Sequence, residues 1–182
     1  MLLVRLLWII LDWLLADLLS GLLHWWEDRY ANASWPVLGK WVAQPNQLHH
    51  TKPLAFLHQG YWSRNWTTII PALFLFAVTV PHPSCLIFLF LSQANEIHAL
   101  AHRKGKVPRW VAWAQGIGVL QSPKHHSGHH RYPYARNYCA MTDWLNPLLE
   151  RFNLWRKLER IVEMTTGWRV NEPELPRRIG TS

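Results

Sequence analysis

Four of the six positions from His125 to His130 in the stretch SPKHHSGHHRYP are histidine: His125, His126, His129 and His130. On a helix, His125/His129 and His126/His130 are i,i+4 pairs that form two neighbouring stripes about 100° apart. One helix face of that kind can hold two metal ions, or two sides of one. Gly128 weakens such a helix by roughly 1 kcal/mol, so a pH-sensing loop cluster is the competing reading. The chain has 11 histidines in all. His24 follows the first apolar run, His49 and His50 are adjacent, and His98 and His102 form HxxxH. A catalytic zinc takes three protein ligands and a structural one four. Nine imidazoles therefore exceed one ion and suit two ions with four or five ligands each. Neutral imidazole serves iron, zinc and copper alike, which leaves the metal open. Soluble di-iron bundles rely on Glu and Glu-x-x-His. Glu96 is the one glutamate near HxxxH, so an all-histidine site is the simpler expectation. His58 and His82 stand apart and read as ordinary polar residues.

Asp17, Gly21, His24 and Asp28 step by four, three and four, and so share a helical stripe. A ligating histidine passes its other N–H to a carboxylate or carbonyl, so Asp28 is a candidate for that role or for direct ligation. Asp17 lies deeper, where an ionisable group is a functional hypothesis by default. Gly21 would let another helix approach closely. Asp12 reads as a bundle-facing polar residue.

Three apolar runs must carry these groups. Residues 2–23 are almost unbroken and long enough to span a bilayer. Residues 66–80, extended backwards by Tyr61 and Trp62, form the second run, and residues 84–102 the third. The expected fold is therefore an all-α integral membrane protein with about three transmembrane helices. Interfacial and cytoplasmic helices would complete it and carry a histidine-rich di-metal site. Residues 110–120 are too short to span and read as interfacial. Residues 143–163 have helical apolar spacing with Arg151, Arg156, Lys157 and Arg160 among them. They read as one amphipathic helix on an anionic membrane surface, or as a soluble helix packed on the catalytic region.

The 13 tryptophans beside these runs fit interfacial belts. Formal charge is +8, with 14 Lys/Arg from His102 onwards against five before it. The PHPS turn carries no Lys or Arg, whereas the segments on the other side do. By the positive-inside rule the histidine side is cytoplasmic, in a bacterial inner membrane or endoplasmic reticulum. Two cysteines, Cys85 and Cys139, lack CxxC spacing and suggest no disulfide. Residues 1–170 read as a single membrane-embedded domain and 171–182 as a flexible tail.

The stretches ADLLSGLLHWWED, LHHTKP, NEIHALAH, KVPRWV, SPKHHSGHH and DWLNPLLERFNLWRKLE run in order through most of the chain. They contain HWxxD, HHxxP, HxxxH and HHxxHH. This combination resembles the lipid desaturase family of plasmanylethanolamine desaturases, bacterial counterparts in carotenoid photo-regulation and a plant plastid phosphatidylglycerol desaturase. The resemblance implies an O2-dependent, non-haem di-iron enzyme that desaturates a chain already attached to a glycerophospholipid. Conversion of an alkyl ether to a vinyl ether is the expected reaction, with fatty acyl-lipid desaturation or lipid hydroxylation by the same centre as the alternative. By position it implies His24, His49, His50, His98, His102, His125, His126, His129 and His130 as iron ligands, with Asn95 and Asn65 in supporting positions. The family's usual helix ahead of the first run has no counterpart here, so a differently built substrate groove is expected. Animal members carry His and Glu where this chain has YPYARNYC, which bears on headgroup and substrate rather than on the metal set.

Such chemistry needs two iron ions, O2 and electrons from a cytochrome b5-like or ferredoxin-like carrier. The basic surface would attract an acidic electron-transfer protein. Phospholipid and membrane are the other expected partners, and nucleic acid is not one. A zinc-dependent membrane hydrolase and a histidine-rich metal carrier are the rivals from other classes.

Overall fold

The computed structural model describes residues 2–103 and 105–171, and most of the expected tail over 171–182 lies outside the described residues. Among the described residues ten α-helices run in chain order: α1 Leu2–Arg29, α2 Gln44–Thr51, α3 Ala55–His58, α4 Tyr61–Thr79, α5 Leu86–Leu91, α6 Ala94–His102, α7 Arg109–Gly116, α8 Pro123–His129, α9 Leu145–Arg151 and α10 Leu154–Thr166. A π-helical turn, Gly39–Ala43, leads into α2. No strand occurs among the described residues. Both cysteines are free.

Helix α1 is built inside out. Leu3, Leu7 and Ile10 are 69%, 56% and 53% exposed, whereas Asp12 and Asp17 are fully buried. Its buried stripe continues through Ser20, Gly21 and His24. Its inner face mixes apolar packing through Ala16 and Trp25 with hydrogen bonds from Asp17 and Ser20. One apolar cluster joins Ala16 of α1 to Leu91, Ala94, Ile97, Val111 and Met141. A second joins Trp25 and Tyr30 to Tyr138, Cys139 and Trp155.

The expectation of about three transmembrane helices is corrected: among the described residues, no helix is long and apolar enough to cross a membrane. Arg5, Asp12 and Asp17 interrupt α1, and α4 contains Arg64 and Pro71. The third run breaks into α5 and α6 between Leu91 and Ala94, where the Ser92 hydroxyl donates to the Leu89 carbonyl at 2.6 Å. Competition of that kind favours a helix end.

The single amphipathic helix expected over 143–163 is two helices, because Asn153 adopts a left-handed φ of 50° between α9 and α10. Its apolar residues are largely occupied. Leu145, Leu149, Trp155, Leu158 and Val162 pack on the second cluster, and Arg29 pairs with Glu159 at 2.8 Å. This matches the packed-helix reading, although Phe152, Ile161 and Met164 remain exposed.

Candidate metal centre

A buried segment, residues 138–142, belongs to no helix and determines where the ligand helices sit. Its backbone is satisfied by side chains. Asp17 accepts from the Met141 N–H at 2.9 Å and the Thr142 hydroxyl at 2.6 Å. Ser20 Oγ accepts from the Ala140 N–H at 3.1 Å. Gln121 and Asn146 donate to the Cys139 carbonyl at 2.6 and 2.8 Å. The approach is so close that a Cβ on Gly21 would lie 2.6 Å from Cys139 Sγ and 3.1 Å from its Cα. Gly21 thus admits this segment rather than another helix, and Asp17 fastens it.

On this frame, ligand side chains arrive from α1, α2, α6 and α8. His49, His98, His102, His126 and His130 each aim one ligand atom into a common volume, all within 4.8 Å of one another. His24, Asp28, His50 and His129 do the same in a second volume, also within 4.8 Å. Two pairs of neighbours in sequence divide between the volumes: His49 and His130 serve the first, and His50 and His129 the second. The ring centroids of His49 and His50 are 5.9 Å apart, and those of His129 and His130 are 5.5 Å apart.

The first volume is a shell of Nε2 atoms. Separations are 2.9 Å for His98–His49, 3.2 Å for both His102–His49 and His102–His98, 2.7 Å for His126–His102 and 2.9 Å for His130–His126. Each neutral ring nitrogen carries either a proton or a lone pair. Three nitrogens in a mutual triangle cannot all be satisfied by hydrogen bonds. A shared divalent cation would resolve this, because each ring could then present a lone pair to it.

The second volume shows the supporting contacts of metal-bound imidazole. His24 Nδ1 lies 3.0 Å from the Tyr138 carbonyl and His129 Nδ1 2.8 Å from the Arg136 carbonyl. Each Nδ1 therefore holds the proton and donates it outward, which leaves the Nε2 lone pair facing inward. Those two Nε2 atoms and Asp28 Oδ2 are buried without a hydrogen-bond partner. Asp28 Oδ2 is 3.4 Å from His129 Nε2 and 3.8 Å from His24 Nε2, and Oδ1 is 2.8 Å from His50 Nε2. Asn46 donates to the same Oδ1 at 2.5 Å. The donor set fits a borderline divalent cation in each volume.

Electrostatics agree. Burial, reinforced by neighbouring imidazoles, pushes His49, His98 and His126 well below the ordinary histidine range and His130 down to about 3. These rings are neutral and able to ligate at physiological pH. Burial opposes ionisation of Asp28, yet His24, His50 and His129 hold its carboxyl below the usual carboxylate range.

Of the nine histidines expected as ligands, eight line the two volumes. His125 does not; its Nε2 lies 3.0 Å from Asn146 Nδ2, which ties α8 to the buried segment. Asp28 is among the converging ligand atoms. Asn95 donates to the Arg64 carbonyl at 3.0 Å, and Asn65 to the Tyr61 carbonyl at 2.7 Å and to Glu96 at 3.3 Å. Both therefore brace α4 against α6. Glu96 turns away to Arg64 at 2.6 Å. His58 and His82 lie outside both volumes. Asn46, Asn146 and the carbonyls of Tyr138 and Arg136 escaped the sequence reading. Only the Nxx spacing of Asn46 before His49 could have marked one of them.

A cavity of about 700 Å³ opens onto the centre, with His49 and His98 of the first volume and His24 of the second in its wall. Leu23, Trp41, Phe56, Trp66, Leu75 and Leu91 make much of the remainder apolar. Glu27 and Lys40 add polar groups to the wall, and burial beside Asp28 pushes the Glu27 carboxyl up to about 8, which leaves it largely protonated near neutral pH.

Comparison with known proteins gives a consistent result. The lipid desaturase domain model matches residues 13–172. A protein of Acanthamoeba polyphaga mimivirus described as a probable fatty acid desaturase is 35% identical, over 87% of this chain and 82% of its own length. Plasmanylethanolamine desaturase 1 of Mus musculus is 32% identical over 85% of this chain, and fatty acid desaturase 4-like 1 of Arabidopsis thaliana is 33% identical over 86%. The chain spans 63% of the mouse protein and 56% of the plant protein. No solved structure matches it.

Proposed function

The chain belongs to the lipid desaturase family, and from that premise we propose that it is an O2-dependent desaturase of a membrane glycerophospholipid, converting an alkyl ether to a vinyl ether. The observation that carries this reading is the apolar cavity whose wall contains histidines of both volumes. Apolar walls suit a hydrocarbon chain, and the polar stretch with Glu27 and Lys40 suits a glycerol headgroup.

Overall, one –CH2–CH2– unit, O2, two electrons and two protons give –CH=CH– and two waters. Two iron ions, held by the five-histidine set and by His24, Asp28, His50 and His129, would supply O2 activation and C–H cleavage, which side chains alone cannot perform. The chain's own residues position and protect. Tyr138 and Arg136 carbonyls fix the imidazole tautomers, Asp28 contributes an anionic ligand atom, and Phe56 packs on His49 and His98 at 5.2 and 5.4 Å between ring centroids. That ring makes the cavity wall beside these two histidines apolar.

The inside-out α1 supports a membrane location. Its exposed leucines and the exposed Phe74 and Val78 of α4 form apolar surface of the kind that enters lipid. We place these ends in the bilayer and the histidine centre at its cytoplasmic surface.

Lipid profiling of cells with and without the protein tests the reading. A vinyl ether lipid that appears with the wild type and not with His126→Ala supports it. A product that has gained oxygen instead identifies a hydroxylase. An unchanged lipid profile from iron-loaded, reductant-supplied protein refutes the proposal.

A further inference from the structure

The turn that follows α8 has one face on the metal centre and the other on solvent. His126, His129 and His130 take the inner side of α8. Lys124 and Ser127 are exposed, and Arg131 is exposed just past the helix end. Their i, i+3 and i+7 spacing puts them on the opposite side. Residues 131–136 then form a tight turn, in which the Tyr134 N–H donates to the Arg131 carbonyl at 2.8 Å. Both ends are fixed to the site, because His130 precedes the turn and the Arg136 carbonyl orients His129. Asn137 closes over Gly128, where a Cβ would come within 2.7 Å of its amide nitrogen.

Tyr134 adopts φ 58°, a left-handed conformation uncommon for a non-glycine residue. The consequence is that its ring lies on His50, with centroids 4.7 Å apart. Tyr132 follows outward at 6.1 Å and is 46% exposed. The other aromatic neighbours of the ligands serve different ends: Phe56 faces the cavity, and Tyr138 is fully buried. Lys124, Arg131 and Arg136 are all exposed, Lys124 on the same helical face as Arg131, and Arg136 at the end of the turn, while Glu150 accepts from the Asn137 N–H at 2.9 Å.

We propose that this basic, tyrosine-bearing turn is the docking surface of an acidic one-electron carrier, and that Tyr134 is the contact through which electrons reach His50 and the centre it lines. The inference rests on the oxidative function proposed above and adds the partner's place of attachment. Each reduced carrier gives up one electron and leaves oxidised, so two dockings supply the two electrons consumed per double bond. No bond in either tyrosine is made or broken. The positive rim matches an acidic partner and would speed its encounter at low salt.

The test uses reduced acidic plant-type ferredoxin as the probe, with dithionite as a small reductant. Calorimetry on the metal-free protein should show salt-sensitive ferredoxin binding that Lys124→Glu/Arg131→Glu weakens about tenfold or more. In the iron-loaded protein the same variant should slow ferredoxin oxidation, while reduction by dithionite keeps its wild-type rate. Tyr134→Leu should bind ferredoxin normally but accept its electrons about tenfold more slowly, and Tyr134→Phe should restore the rate. Unchanged binding on charge reversal overturns the docking surface, as does binding of the turn to anionic vesicles in place of ferredoxin. Equal electron-transfer rates for Tyr134→Leu and wild type overturn the tyrosine contact. Failure of dithionite to reduce iron-loaded wild type overturns the oxidative function itself, and the entry route with it.

Discussion

Gly21→Ala should damage one metal volume from a position one turn before its ligand His24. Its new Cβ would stand 2.6 Å from Cys139 Sγ and 3.1 Å from both Cys139 Cα and N. The sulfur can rotate aside, but the backbone atoms cannot. Ordinary contact requires them to retreat by about 0.3 Å. That motion moves the segment away from α1, and the adjoining Tyr138 carbonyl accepts from His24 Nδ1 at 3.0 Å. Overpacking of this kind costs about 1–3 kcal/mol, which for a chain of this length lowers Tm by roughly 2–12 °C. Loosening the group that orients a ligand reduces metal affinity by about 10- to 100-fold. Metal titration of the metal-free protein should therefore show weakened binding in the His24–Asp28–His50–His129 volume and little change in the five-histidine volume. Gly60→Ala, which meets nothing within 4 Å, is the control. If Gly21→Ala lowers Tm but binds both ions as wild type does, residues 138–142 do not orient His24 and the reasoning fails.

Asp28→Asn should cut bound iron from about two ions per chain towards one, because Asn lacks the charge that three imidazoles now face; elemental analysis showing two ions would remove Asp28 from the ligand set. His125→Gln should keep its iron and lose about 1–3 kcal/mol of stability through the Asn146 contact, whereas His126→Ala should lose iron from the five-histidine volume; equal iron loss in both variants would make His125 a ligand. In the metal-free protein, burial and the neighbouring imidazoles hold His49, His98, His126 and His130 below the ordinary histidine range. Their contribution is fully present above about pH 6.5 and is lost as pH falls from there towards the depressed values, because the unfolded chain takes up protons first. Denaturant midpoints that stay level between pH 7.5 and pH 5 would contradict that sign. Removing iron with a chelator should lower Tm in a metal-dependent, reversible way, and a chelator-insensitive Tm would argue against occupied sites.

The histidine chemistry was legible in the sequence because i,i+4 spacing on α6 and α8 fixes which rings share a face. The stripe on α1 was equally legible, but its partner was not. Gly21 and Asp17 signal a close and polar approach without stating whether a helix or an extended segment makes it. Residues 138–142 have no periodicity to mark them, since their backbone is satisfied by Asp17, Ser20, Gln121 and Asn146 rather than by a regular ladder. The helix around His49 and His50 was also silent, being polar and opened by Gln44 and Pro45 after a π-helical turn. The division of His125 from its three neighbours depended on Asn146, which lies 21 residues further along the chain.

The two pairs of consecutive histidines have a mechanical consequence. His49–His50 and His129–His130 each place one ring on either side of the wall between the volumes. Adjacent Cα atoms are held about 3.8 Å apart by the peptide bond, so each pair ties the two volumes together through a single covalent link. Side-chain rotamers and the packing around them then set where each ring points. A backbone displacement at either pair should therefore disturb both volumes at once, which metal titration would register as a coupled loss. The two volumes are thus linked mechanically as well as chemically, through two peptide bonds.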